Sequence, residues 1–139
     1  MNTQANRFRQ FIILVLFSML LAGCGGAKAG GVQLTDGDNG KEILAKKGET
    51  VSVRLEANPT TGFGWEVSEV DAQMLAQNGE KTYEQANSSK NLVGGGGWET
   101  FTFTAQQTGE TTLKLIYHRS WEKGVDPAKT FEVKIRIDG

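Results

Sequence analysis

The sequence predicts an all-β domain, an antiparallel β-sandwich of about seven strands, and three observations predict it. From Val32 onward apolar residues alternate with polar ones and almost nowhere recur at helical spacing, the period-2 pattern of strands with one buried face. Turn-forming pairs such as Asn39-Gly40, Asn78-Gly79 and Thr108-Gly109 punctuate that pattern. Eighteen glycines stand against two prolines, a composition suited to loops that need positive φ rather than to a disordered Pro-rich tail.

The first residues read as an address and not as part of the fold. Arg7 and Arg9 precede an apolar run from Phe11 to Leu21, and no acidic residue occurs before Asp36; this is the layout of a secretory signal. The run is too short for a transmembrane helix, which needs roughly 20 apolar residues. Leu21-Ala22-Gly23-Cys24 then resembles the lipobox of bacterial lipoproteins, against the alternative of an ordinary signal with a chance cysteine at its end. The expected organisation is a signal peptide over 1–23, a lipidated Cys24 with a flexible Gly-rich tether over 24–31, and the domain over 32–139. Cys24 is the only cysteine, so the domain has no disulfide and no thiol nucleophile and must fold on packing alone. These features imply a lipid-anchored protein of the bacterial cell envelope. Gly25 after the cysteine, where sorting signals carry Asp, favours the outer membrane, facing the periplasm or the cell surface.

Strands follow in order. Weaker ones are expected over 32–36, 42–46 and 80–86, and only 71–77 could hold a short helical turn. Val51, Val53 and Leu55 alternate with Ser52, Arg54 and Glu56 in a strand over 50–56, and Trp65 and Val67 follow in one over 64–70. Phe101, Phe103 and Ala105 alternate with threonines over 98–105; Leu113, Leu115 and Tyr117 share a face over 110–118; Phe131, Val133, Ile135 and Ile137 do so over 129–137. Short strands separated by such turns fit an immunoglobulin-like sandwich, with a small barrel as the alternative. Trp65 is the natural central filler of its core.

Three connections look unusual: 57–63, 87–97 and 119–128. Successive strands of an antiparallel sandwich run up and down, so these alternate connections emerge at one end of the domain. Asn58-Pro59-Thr60-Thr61-Gly62-Phe63 combines an Asx-Pro start, two β-branched residues and a Gly that can take positive φ, giving a stiff protruding turn. By composition alone it is equally a tight hairpin connection without a partner. Gly94-Gly95-Gly96-Gly97 lacks the Lys-Ser/Thr ending and following helix of a phosphate cradle. Its glycines instead let another protein approach the backbone amides, at roughly 0.5–1 kcal/mol of entropy per residue relative to Ala. Arg119-Ser120-Trp121 ends a strand with a large aromatic at a loop tip, and Trp and Arg are the types enriched at interface hot spots.

These segments meet a family. Asn58-Pro59-Thr60-Thr61-Gly62-Phe63-Gly64-Trp65, then Gly94-x-Gly96-Gly97, then Arg119-x-Trp121 closely resemble, in order and in register, the loop motifs of the chagasin family of cysteine peptidase inhibitors. The resemblance spans residues 33–137. It implies an immunoglobulin-like domain that binds papain-like cysteine peptidases reversibly, without covalent chemistry, as a monomer. By the same resemblance Thr60 and Thr61 enter the cleft beside the catalytic thiol, Gly94 to Gly97 pair with one cleft wall, and Trp121 packs near the catalytic histidine. Ser120 departs from the family's usual Pro and removes its fixed φ, which implies a more mobile third loop with a weaker contribution.

Other classes fit poorly. The formal charge is −1, with Lys and Arg scattered among Asp and Glu, so no basic face for nucleic acid is formed. The single histidine, His118, lies inside a strand without paired carboxylates or metal-ligand spacing, and no nucleophile-elbow pattern occurs. Catalysis, a metal and a cofactor are therefore not expected. The competing reading is a non-inhibitory immunoglobulin-like binding module, an adhesin or envelope assembly factor on the same scaffold.

Overall fold

Alternation becomes two facing sheets in the computed structural model, which describes residues 30–86 and 95–139. The strands are β1 (Val32–Thr35), β2 (Glu42–Lys46), β3 (Thr50–Ala57), β4 (Gly64–Glu69), β5 (Leu75–Gln77), β6 (Thr82–Gln85), β7 (Gly97–Ala105), β8 (Gly109–His118) and β9 (Lys129–Asp138). One sheet runs β1-β3-β7-β5, with β6 also on β7; the other runs β2-β9-β8-β4. Signal, Cys24, most of the tether and Gly94 lie outside the described residues.

Two details differ from the sequence expectation. Among the described residues there are nine strands rather than about seven, and the sheets are mixed, because β1 pairs β3 and β2 pairs β9 in parallel. The cause is the crossover at 36–41. The chain ascends beside β3, crosses from one sheet edge to the other, and descends beside β9, each time next to a strand of its own direction. A hydrogen bond from Gly40 N–H to the Glu132 carbonyl (2.7 Å) seats it. The second difference is at 71–77. One helical turn does form, with Leu75 N–H donating to the Asp71 carbonyl (2.8 Å), but residues 75–77 are strand, drawn onto β7 by fully buried Leu75. Packing of one apolar side chain outweighs a short run's local helical preference.

The inward faces are those read from the alternation. Val51, Val53, Leu55, Phe101 and Phe103 from one sheet meet Leu113, Leu115, Phe131, Val133, Ile135 and Ile137 from the other, all buried. Each such side chain contributes roughly 1.5–3 kcal/mol of transfer free energy. Trp65 is buried too, but not as the central filler. It sits opposite Tyr117 at the loop-bearing end, second residue of an edge strand, with the ring centroids 5.1 Å apart. Its indole N–H donates to the Glu56 carbonyl (3.0 Å), so a polar tip needing a partner draws the ring to the strand end where one is available.

Candidate functional site

At one pole Ala57 pairs with Gly97, and Gly64 with His118. The first and third unusual connections, and the described end of the second, therefore rise from the same end of the sandwich.

The first loop is a 3-10 turn over Pro59–Thr61, begun at Asn58 and stopped at Gly62, whose φ of 79° is left-handed. Pro59 presets the first helical φ. Thr61 N–H and hydroxyl both donate to the Asn58 carbonyl (3.2 and 2.6 Å), and the Thr60 hydroxyl donates to Asn58 Oδ1 (2.6 Å). Both threonines are thus held by the residue that starts the turn. The loop is also tied to the core, because Asn58 N–H donates to the hydroxyl of buried Tyr117 (3.0 Å) and Phe63 stacks on the Tyr117 ring at 5.4 Å. Sequence reasoning gave Tyr117 no role at the site. Its signal was a core-facing tyrosine near a strand end, where the hydroxyl must find a partner.

The third loop leans on the first. Arg119 lies over the Phe63 ring (4.3 Å) and donates from Nε to the Thr61 carbonyl (3.1 Å), while its Nη1 pairs with Glu122 (3.2 Å). With Ser120 in place of Pro, the turn is closed by Glu122 N–H on the Arg119 carbonyl (3.1 Å). Trp121 is 65% exposed, and its ring edge covers Gly62 so closely that a Cβ there would overlap it. Gly62 therefore answers to two demands, a positive φ and a neighbouring indole.

Of the glycine run, Gly95 and Gly96 lead into β7 and Gly97 is its first residue. Gly97 has an internal reason to be glycine: a Cβ would overlap the Glu84 carbonyl of β6. Gly96 accepts from Ala86 N–H (3.0 Å), so its carbonyl is engaged within the domain. Below Gly97, Glu99 is the one buried charged residue among those described, held by Trp65 N–H and Lys81.

This pole offers shape and hydrogen-bonding edges. His118 ends β8 with Nε2 2.7 Å from Glu66 Oε2 on the neighbouring strand β4. Among the described residues no group of His, Cys, Asp and Glu could hold a metal.

Known proteins are similar to this chain in sequence and in fold. The chain is 31% identical over 106 residues to Amoebiasin-1 of Entamoeba histolytica, covering 76% of this chain and 99% of that one. It is 29% identical over 112 residues to Chagasin of Trypanosoma cruzi, covering 76% and 97%. The crystal structure of a cysteine protease inhibitor from Entamoeba histolytica superposes with a TM-score of 0.69 at 24% identity, over 76% of this chain and 94% of that one. The model of the chagasin family peptidase inhibitor I42 matches residues 45–135. The chain thus belongs to the chagasin family of peptidase inhibitors, a family of inhibitors and not of enzymes.

Proposed function

We propose that this domain inhibits papain-like cysteine peptidases reversibly and non-covalently, by occluding the active-site cleft with three loops. The observation that carries the reading is the joining of the first and third motif loops at one pole through Arg119, Phe63 and Trp121. Asn58, Pro59, Thr60, Thr61, Gly62 and Phe63 form the wedge, Gly94 to Gly97 the second contact, and Arg119 with Trp121 the third. Thr60 and Thr61, locked onto Asn58, present a rigid tip, which lowers the ordering cost of association. Gly97 contributes as the strand start that aims the second loop, and Arg119 mainly as a brace.

The same reading takes Cys24 as the lipid anchor of an envelope protein, with a signal over 1–23 and a tether over 24–31. The strand directions support a productive orientation. β1 runs parallel to β3 from Val32 beside Val51, so the chain enters at the pole opposite the loops. β3, with 8 residues, spans roughly 3.3 Å per residue, which holds the loops well clear of an anchoring membrane and open to a peptidase in the aqueous compartment.

Two experiments test this. The chain without residues 1–23, carrying Cys24→Ser, is titrated against papain with a fluorogenic substrate and then run on a gel. Reversible loss of activity with the inhibitor uncut is expected; undiminished papain activity at micromolar inhibitor, or rapid cutting between Thr60 and Thr61, refutes inhibition. In cells, Cys24→Ser moves the protein out of the membrane fraction, because acyl chains supply about 0.8 kcal/mol of membrane affinity per buried CH₂. A Cys24→Ser protein that still sediments with membranes after signal cleavage refutes the anchor.

A further inference from the structure

The chain crosses between the two sheets on both flanks, through 36–41 between β1 and β2 and through 70–74 between β4 and β5. On the second flank, towards the loop-bearing end of edge strand β4, side chains from the opposite sheet also reach across to it. Glu99 of β7 accepts the Trp65 N–H at Oε2 (2.7 Å), and Lys81, just before β6, donates to the Trp65 carbonyl (2.6 Å). Lys81 Nζ closes the ring on Glu99 Oε1 (3.0 Å). Both outward-facing backbone groups of Trp65 are thereby satisfied by one ion pair. The Glu99 side chain is only 7% exposed and that of Lys81 37%, so the acid is enclosed and the amine reaches it from the surface.

We propose that Glu99 and Lys81 are positioning residues for inhibition, a clamp that fixes the exit of the first loop against the root of the second. The placement carries the argument. Trp65 is two residues beyond Phe63, the last residue of the first loop, and Glu99 two beyond Gly97, where β7 begins. One carboxylate therefore sets the distance between the two loop roots. Gly64 fits the same arrangement: a Cβ there would stand 3.2 Å from Lys81 Nζ, a tight approach, and in ordinary contact with Glu99 Oε1 at 3.6 Å. The second glycine of the Gly62-Phe63-Gly64-Trp65 segment thus leaves the Lys81 ammonium free to settle on Glu99 without shifting.

A carboxylate buried on the core-facing side of a strand is costly to keep unless its oxygens are occupied. Here two partners occupy them, and each belongs to a segment that must hold still for the loops to present one shape. The clamp touches no peptidase; it acts through loop position, and it rests on the inhibitory reading above.

The test uses the full chain with Lys81→Met and, separately, Glu99→Gln, and a control, Val133→Ala, which opens a core cavity on β9 away from the clamp. Inhibition of papain, melting temperature and amide hydrogen exchange are measured on each. Lys81→Met is expected to weaken inhibition about tenfold and to speed exchange of the Gly64 and Trp65 amides at least tenfold, with β8 and β9 amides unchanged. Val133→Ala is expected to lower the melting temperature at least as much while inhibiting within twofold of the parent. Lys81→Met inhibiting within twofold of the parent, or losing inhibition only in proportion to melting temperature as Val133→Ala does, overturns the proposal. So does unchanged exchange at Gly64 and Trp65. If Glu99→Gln does not fold, Lys81→Met, whose side chain is partly exposed, carries the test. A parent chain that fails to inhibit papain refutes the inhibitory function itself, while the exchange data still report on the clamp.

Discussion

The two poles of the sandwich are held by different chemistry. At the pole away from the loops, backbone closes on backbone: Lys47 N–H donates to the Asp138 carbonyl and Gly48 N–H to Ala105 (both 2.7 Å), while Ala105 N–H returns to Glu49 (3.0 Å). Beyond Glu49, whose carboxylate accepts the Lys46 N–H (2.8 Å), and left-handed Gly48, such a turn needs few particular side chains. At the loop pole, side chains do the joining: the Tyr117 hydroxyl to Asn58, Arg119 to Thr61 and Phe63, Trp121 over Gly62, and the Trp65 indole to Glu56. The difference teaches how irregular backbone can be held in one shape. The first and third loops are each closed by a backbone hydrogen bond within the loop itself, and the buried Tyr117 ring beneath anchors the first. Stability and function should therefore divide between the rings beneath the loops and the ring above them.

Trp65→Ala gives the largest expected effect. It removes a buried indole that packs on Tyr117 and donates to Glu56, and substitution of a buried Trp by Ala costs about 3–5 kcal/mol through the cavity left behind. Chemical denaturation measures it. A loss below about 1 kcal/mol, within the range of surface substitutions, would break the division, since the loop pole would then not depend on the core for support.

Trp121→Ala should do the reverse. With 65% of its surface exposed, the ring contributes little to the folded free chain, yet among the described residues it is a large exposed aromatic of this pole. Inhibition of papain should weaken tenfold or more, about 1.4 kcal/mol of binding, with the melting temperature nearly unchanged. Unfolding of the variant, or inhibition equal to the parent's, would remove the third loop from the interface and confine the site to the other two.

How far this division was legible in the sequence depends on what each residue's role requires. The strands were legible because burial on one face leaves a period of two, and the observed bounds stay within two residues of those read from 50–56, 64–70, 80–86, 98–105, 110–118 and 129–137. The first loop was legible because Pro59 and Gly62 have few other uses in that order. Residues 75–77 were not, since three residues carry no period and β7 alone decides their state. Parallel pairing of β1 and β2 was illegible for a related reason: alternation fixes which side faces the core and says nothing of direction. Glu99 left a signal that was easy to pass over, an acid in phase with Phe101, Phe103 and Ala105 on the core-facing side. Gly97 was legible as a glycine but for a different reason from the one found, because the backbone that crowds it belongs to β6 of the same chain.

The smallest expected effect lies on the flank of the 36–41 crossover, and it tests whether that flank is independent of the loop pole. Asp38 there accepts the Thr35 N–H (2.9 Å) and pairs with Lys41 (3.0 Å). The Thr35 backbone N–H first, and Lys41 second, hold its carboxyl below the ordinary range. A carboxylate whose folded pKa is depressed contributes stability that is fully present above its unfolded value of about 3.9 and is lost as pH falls through the folded value. Asp38→Asn keeps an acceptor for Thr35 and loses the charge facing Lys41, whose side chain is exposed, so the loss at pH 7 should stay below about 1 kcal/mol. Denaturation of parent and variant at pH 7 and near pH 3 should show the gap between them narrowing in acid, with papain inhibition at neutral pH the same for both. A gap that widens in acid would contradict the depressed carboxyl. Weakened inhibition would show that the crossover reaches the loop pole through Asp36, which accepts the Glu56 N–H near the end of β3 (3.1 Å), and the flank and the loop pole could then not be altered separately.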